Sequence, residues 1–189
     1  MAILTDIYQG HPLAGRVVKG LELRKDVAKE FEREHYEANR NAISPQGFEL
    51  EAQRMGRMMR ERFGLGFIDV GGWDTHVNKA PTLNGNLDNL GKGLAAFAKE
   101  MSSVWHRTIV VVLSEFGRTF RENGTRGTDH GHGSVTWVLG GPVKGKRIAG
   151  EQVVVGRESL FQDRDFPVIN EYRSLLGGLF RRFYGLQIS

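Results

Sequence analysis

The fold class is indicated most clearly by the segment Thr108-Ile109-Val110-Val111-Val112-Leu113-Ser114-Glu115-Phe116-Gly117-Arg118. Its first six residues are apolar or β-branched, and they lack the alternation of polar and apolar residues that marks a half-exposed strand. This pattern predicts a central strand that is buried on both faces. Because a polar, glycine-containing loop follows at once, we also expect chemistry at the carboxyl end of this strand.

Further strands and helices are predicted on either side of this central strand. The other predicted strands are Phe67–Val70, Val135–Leu139 and Val153–Val155. The predicted helices are Leu21–Asn39, Phe48–Phe63 with core-filling methionines, a long helix from Asn86 to Met101 that follows a loop through Pro81–Gly85, and Asn170–Phe183. An order of strand, helix and strand with buried strands predicts an α/β domain with a largely parallel sheet flanked by helices.

The chain of 189 residues is short enough to be one domain or a large piece of one. We divide it into a helical amino-terminal segment, residues 1–66, and an α/β portion, residues 67–189, which carries the polar loops. The absence of cysteine excludes disulfides, thiolate zinc sites and a cysteine nucleophile. Since the apolar run Ile109–Leu113 is far shorter than the ~20 residues of a membrane helix, we expect a soluble protein with no membrane partner. The amino terminus has no export-signal pattern, and the cellular location stays open.

The charge of the chain is mildly basic, with 26 Lys and Arg against 22 Asp and Glu and a net charge of +4. The basic residues are spread out, as on solvated helix faces, so we expect no nucleic-acid partner. A modest positive field would suit a small anionic substrate. Binding of an anionic polymer is a minor alternative, which predicts steep salt dependence.

Three polar clusters contain the residues that could carry chemistry: Gly71–His76, Ser114–Thr119 and Gly127–Gly133. Together they hold three histidines and three carboxylates, the mixture of ligands found in zinc, manganese and iron sites. A cation would remove the cost of leaving carboxylates unpaired at strand ends. Asp74 and His76 are two apart in an extended segment, so their side chains point the same way and can share one metal.

Each cluster taken alone has a plainer interpretation. Asp129 could cap a turn, His76 could be an ordinary hydrogen-bonded histidine, and Glu115 with Arg118 could form a local ion pair. The joint occurrence of the clusters is what favours a metal site. Ser114 lacks the Gly-x-Ser-x-Gly frame of a nucleophile elbow, and neither a dinucleotide-binding nor a P-loop pattern is present.

The three clusters also carry a family resemblance, in Gly72–His76, Ser114–Thr119 and Gly127–Gly131. These ordered motifs resemble the signatures of a bacterial domain-of-unknown-function family, number fifteen hundred and one, related to the alkaline phosphatase and sulfatase superfamily. The resemblance extends from about Phe67 to Leu186. It implies an α/β/α sandwich of the alkaline-phosphatase type with a metal centre, often of two ions, that hydrolyses phosphate or sulfate esters.

The resemblance implies Asp74 and His76 as ligands of one ion, with Asp129 and His130 supplying further ligands. His132 and Asp69 are reserve candidates. Zinc is the first choice of metal, and manganese, magnesium and calcium are the alternatives.

Glu115 lies after the central strand where relatives place an Asp-His-Gly ligand pair, and it is a further candidate ligand. Phe116 occupies the place of the histidine, which is a departure from the metal shell that the superfamily resemblance implies. Arg118 would hold an ester oxyanion through a bidentate contact.

A larger departure concerns the amino-terminal side. Relatives are usually longer and often exported, and in the superfamily the first metal-binding Asp and the Ser or Thr nucleophile precede the motifs found here. Residues 1–66 offer only Thr5-Asp6, so the sequence predicts a domain that is incomplete on this side.

The expected function is a sulfatase- or phosphatase-type metallohydrolase, which a fragment could retain in inactive form. The alternative is a non-catalytic metal-binding or assembly module. Exposed strand edges would favour a homo-oligomer or a completing partner chain.

Overall fold

The computed structural model describes residues 9–12, 14–22, 25 and 47–186, and three long helices dominate that part of the chain. The helices are α1 (Phe48–Glu61), α2 (Lys79–Glu100) and α3 (Tyr172–Tyr184), and residues 14–22 are also helical. The strands are β1 (Ile109–Val112), β2 (Gly117–Arg118), β3 (His130–Gly131) and β4 (Trp137–Gly140). Short 3-10 helices span Ser102–Arg107 and Arg157–Ser159.

The core lies between α1 and α2, which pack against each other. Its buried centre is formed by Ala52, Phe97 and Met101, and the side chains packed around it are Phe48, Met55, Met59, Val104, Trp105 and Val110. The helices approach closely at Gly93, where an added Cβ would lie 2.2 Å from the Phe48 ring. The expectation that the methionines of α1 fill the core is confirmed.

Helix α2 begins earlier than the sequence pattern predicts. We expected a loop through Pro81–Gly85 and a helix from Asn86, but the helix starts at Lys79. Pro81 is therefore the third residue of the helix, where a backbone N–H would have no intrahelical partner, so the proline costs no hydrogen bond. The predictions of helices near Phe48–Phe63 and Asn170–Phe183 are confirmed to within a few residues.

The predicted parallel sheet is wrong. The described residues contain two sheets of two strands each, and both sheets are antiparallel. In the first sheet β1 pairs with β4, with Ile109 opposite Gly140 and Val112 opposite Trp137. In the second sheet β2 pairs with β3. The α/β/α sandwich with its largely parallel sheet is therefore replaced by helices beside two small antiparallel ribbons.

The connection between β1 and β4 explains why these two strands are antiparallel. A parallel pair needs a crossover of about a dozen or more residues, usually a helix, between its strands. Residues 113–136 contain no helix, and the ribbon of β2 and β3 is folded from them instead. The chain therefore returns beside β1 in the opposite direction. All four residues of β1 are half-buried rather than buried on both faces.

Two other predicted strands are absent from the described residues. Phe67–Val70 has no strand partner, and Phe67 is 86% exposed. Val153–Val155 is also irregular, with exposed side chains. The predicted helix Leu21–Asn39 falls almost entirely outside the described residues, and the division of the chain at residue 66 stays a prediction. Within the described ranges, every helix is too short or too polar to cross a membrane.

Candidate metal centre

Three of the sequence-predicted ligands meet at one point of the surface. Oδ1 of Asp74 lies 2.8 Å from Nε2 of His76 and 2.7 Å from Nε2 of His130. One ligand atom from each residue lies within 4.8 Å of the other two. Between 39% and 58% of each side chain is exposed, so the cluster is open to solvent. An oxygen and two nitrogens therefore converge at a place that a small ion could reach.

The cluster is assembled from a loop and a ribbon. Asp74 and His76 lie on the irregular segment that leads into α2, and His130 lies on β3. Next to the cluster the chain crosses itself closely, because an added Cβ on Gly127 would lie 2.0 Å from the carbonyl oxygen of His76. The backbone N–H of Lys79 donates to the carbonyl of Arg126 at 2.9 Å and so holds the two segments together.

Arg118 ties both segments to the cluster. It lies directly opposite His130 in the β2–β3 ribbon. Its guanidinium donates through Nη1 to the carbonyl of Thr128 at 2.9 Å and through Nη2 to the carbonyl of Trp73 at 2.5 Å. Nη2 also lies 3.3 Å from Oδ1 of Asp74. Both terminal nitrogens therefore already have protein partners, and the side chain is only 15% exposed.

Asp129 contacts the ring of His76 on the side that faces away from Asp74. Its Nδ1 lies 3.2 Å from Oδ1 of Asp129, while its Nε2 faces Asp74. Histidines that bind metals usually donate the far N–H to a carboxylate or carbonyl in this way. The sequence suggested Asp129 as a ligand, whereas the structure places it against the far side of an imidazole.

The ring of His130 is held by stacking. It lies parallel to the Phe116 ring, with centroids 4.4 Å apart and an angle of 8° between the planes. The guanidinium of Arg118 lies 4.8 Å from the centroid of the same phenyl ring. Phe116 therefore acts as a rigid support for both His130 and Arg118.

The carboxylates of this region are ionised at neutral pH. The hydrogen bond from His130 is the largest influence that lowers the pKa of Asp74 below its ordinary value, and the charges of His76 and Arg118 act in the same direction. The hydrogen bond from Asn123, followed by that from His76, lowers the pKa of Asp129. Both groups are therefore charged under conditions in which they could attract a cation.

Two of the predicted ligands lie elsewhere. Glu115 is exposed and is not among the residues that converge on Asp74. His132 points to a different carboxylate, with Nδ1 2.7 Å from Oδ2 of Asp165. The reserve candidate Asp69 is exposed and lies outside the converging trio.

Two residues of this region, Asp165 and Asn123, lie in stretches that share the family resemblance but were given no role from the sequence. Asp165 is completely buried, and Arg164 and His132 contact its two oxygens. Asn123 contacts both Asp129 and the carbonyl of His76. A buried aspartate and an amide in a tight loop could have been found only from the fold, because neither residue type signals its partners in the sequence.

Helices beside small antiparallel ribbons therefore carry an open carboxylate–imidazole cluster at the surface. The chain belongs to the family described as Protein of unknown function (DUF1501), whose profile matches residues 2–187. The predicted membership of a domain-of-unknown-function family is therefore confirmed, and the match includes residues that precede the three motifs. No curated protein and no solved structure matches the chain.

Proposed function

We propose that this protein binds a divalent cation through Asp74, His76 and His130 and uses it to hydrolyse an ester of phosphate or sulfate. The observation that carries the proposal is the convergence of Oδ1 of Asp74 with one nitrogen from each imidazole inside 4.8 Å. The carboxylate of Asp129 behind His76 supports it, since this is the usual outer partner of a metal-binding histidine.

Zinc is the cation that fits these ligands best. Two imidazole nitrogens and one carboxylate oxygen are the three protein ligands of many catalytic zinc sites, which leave a fourth position open. Manganese is the next choice, because it also accepts a mixture of nitrogen and oxygen. Magnesium and calcium prefer oxygen ligands and suit the two histidines less well.

The surroundings of the cluster favour an anionic ester as substrate. The cation would polarise the ester and lower the pKa of the attacking water. Among the described residues, no serine or threonine hydroxyl is hydrogen-bonded to the side chains of Asp74, His76 or His130, so we assign the attack to water. Arg118 adds a fixed positive charge beside the cluster, although its terminal nitrogens are already engaged.

Zinc titration of the purified, metal-stripped protein tests the first half of the proposal. We expect one equivalent of zinc to bind to the wild type, and His76→Gln and His130→Gln each to weaken binding by at least about 100-fold. His106→Gln is the matched control, because His106 is an exposed histidine on the 3-10 helix Ser102–Arg107, away from the cluster residues in the chain. Equal binding by all four proteins would refute the assignment.

Hydrolysis of 4-nitrophenyl phosphate and 4-nitrophenyl sulfate tests the second half. We expect turnover of one of the two esters that requires zinc or manganese and is lost in His130→Gln. Because no hydroxyl among the described residues is bonded to the side chains of the cluster, a second candidate is a module that binds the cation without catalysis. A protein that holds one equivalent of zinc and hydrolyses neither ester would decide for that module.

A further inference from the structure

We propose that Asn123 is a positioning residue, which sets the affinity of the site for its cation by holding Asp129 against the far nitrogen of His76. This inference rests on the proposed function, because it concerns the same cation. It assigns to the Asn123 loop a role that the sequence motifs did not suggest.

The loop around Asn123 fixes the orientation of its side-chain amide. The oxygen Oδ1 accepts hydrogen bonds from the backbone N–H groups of Thr125 and Gly127, each at 3.0 Å. Because these partners are donors, the oxygen must face them and the amide nitrogen must face the other way. The backbone N–H of Asn123 donates to the carbonyl of Gly127 at 2.9 Å and closes the loop.

The amide nitrogen Nδ2 then faces the metal centre. It donates to the carbonyl oxygen of His76 at 3.0 Å and to Oδ1 of Asp129 at 3.0 Å. The same Oδ1 lies 3.2 Å from Nδ1 of His76. Asn123 therefore holds both the backbone of the histidine and the carboxylate that faces its ring.

This arrangement links Asn123 to the cation. When a cation takes Nε2 of His76, the imidazole keeps its proton on Nδ1, and Asp129 is placed to accept it. Asp129 is more than half exposed, so without Asn123 its side chain is free to turn toward water. Loss of such an outer partner typically weakens metal binding by about 10- to 100-fold.

A double-mutant cycle of zinc affinity on the full chain tests the inference. The four proteins are the wild type, Asn123→Ala, Asp129→Ala and the double variant. We expect each single variant to weaken zinc binding by at least about 10-fold and the double variant to bind no more than about 3-fold more weakly than Asp129→Ala alone. Non-additivity of this kind is what a residue that acts through Asp129 produces.

Gly124→Ala is the matched loop control. It adds a methyl group to the same loop at a place where no atom lies within 4 Å, and it leaves the contacts of Asn123 and Asp129 intact. We expect it to change zinc affinity by less than about 3-fold. In the zinc-loaded protein, the nitrogen-15 NMR signal of the protonated Nδ1 of His76 should shift in Asn123→Ala and Asp129→Ala but not in Gly124→Ala.

The outcomes separate this inference from the proposed function. A wild type that binds no zinc would refute the proposed function and this inference with it. If the wild type and Asn123→Ala bind zinc with equal affinity, the role of Asn123 is refuted and the proposed metal site is not affected. Full additivity of the two substitutions would likewise overturn the inference, because it would show that Asn123 acts independently of Asp129.

Discussion

Replacement of Arg118 by methionine probes the link that its guanidinium forms between the loop of Asp74 and the β2–β3 ribbon. Methionine keeps most of the side-chain volume, but it removes the guanidinium that donates to the carbonyls of Trp73 and Thr128. These two carbonyls belong to the two segments that carry Asp74 and His130. The substitution should therefore loosen the junction between the loop and the ribbon without opening a large cavity.

The expected cost follows from the bonds that are lost. A hydrogen bond from a charged group contributes about 1.5–3 kcal/mol, and Arg118 makes two such bonds to backbone oxygens. Water can reach part of this junction, which lowers the net loss. We expect the free energy of unfolding to fall by about 2–4 kcal/mol.

Urea denaturation of the metal-free protein measures this loss, with Arg121→Met as the matched control. The Arg121 guanidinium also contacts a backbone oxygen and a carboxylate, both of Asp163, but its side chain is 54% exposed. We expect the control to lose less than about 1 kcal/mol, as exposed ion pairs do. Equal losses of unfolding free energy for the two variants, or a loss below about 0.5 kcal/mol for Arg118→Met, would refute a stabilising link through Arg118.

Three further predictions concern the neighbouring residues. Gly127→Ala should reduce the free energy of unfolding by about 1–3 kcal/mol in urea denaturation, because its methyl group would overlap the carbonyl of His76; an unchanged midpoint would contradict this close approach. Asp165→Asn should lose about 1–3 kcal/mol at pH 7, since the carboxylate is buried against Arg164 and His132. The hydrogen bond from Arg164 lowers the pKa of Asp165 in the folded protein below its ordinary value of 3.8. The stability that the carboxylate contributes is therefore present above pH 3.8 and is lost as the pH falls through the lowered pKa of the folded state. A stability difference from wild type that persists at the acid end of a series of urea denaturations would contradict this pH dependence. His132→Gln should keep zinc affinity within about 3-fold of wild type in the titration, because the ring is committed to Asp165; a loss as large as that of His130→Gln would place His132 among the ligands.

Local patterns in the sequence were enough to predict the three long helices and the presence of strand β1, but not a central place for that strand, which pairs only with β4 among the described residues. The apolar spacing of α1, α2 and α3 predicts helices, and the run of valines predicts β1. A run of apolar residues does not determine whether the strand pairs with its neighbour in the parallel or the antiparallel direction. Whether β4 returns parallel or antiparallel to β1 depends on what residues 113–136 fold into, and there the sequence shows only short polar clusters.

The sequence named the three residues that converge in the candidate site, together with others that do not, and it did not predict the residues that support them. Asp74, His76 and His130 belong to motifs whose residue types signal metal chemistry. The roles of Asn123 and Phe116 depend instead on contacts between segments that are distant in sequence. Glu115 was expected at the site because it follows β1, but its exposed side chain is not among those that converge on Asp74, although the adjacent Phe116 stacks on His130.

A crystal of the protein soaked in zinc, with anomalous diffraction recorded on both sides of the zinc absorption edge, shows whether Asp74, His76 and His130 bind the cation. We expect one anomalous peak, bonded to a carboxylate oxygen of Asp74 and to Nε2 of both His76 and His130 at about 2.0–2.2 Å. A peak bound elsewhere on the chain, or no peak at a zinc concentration that saturates the titration in solution, would contradict it.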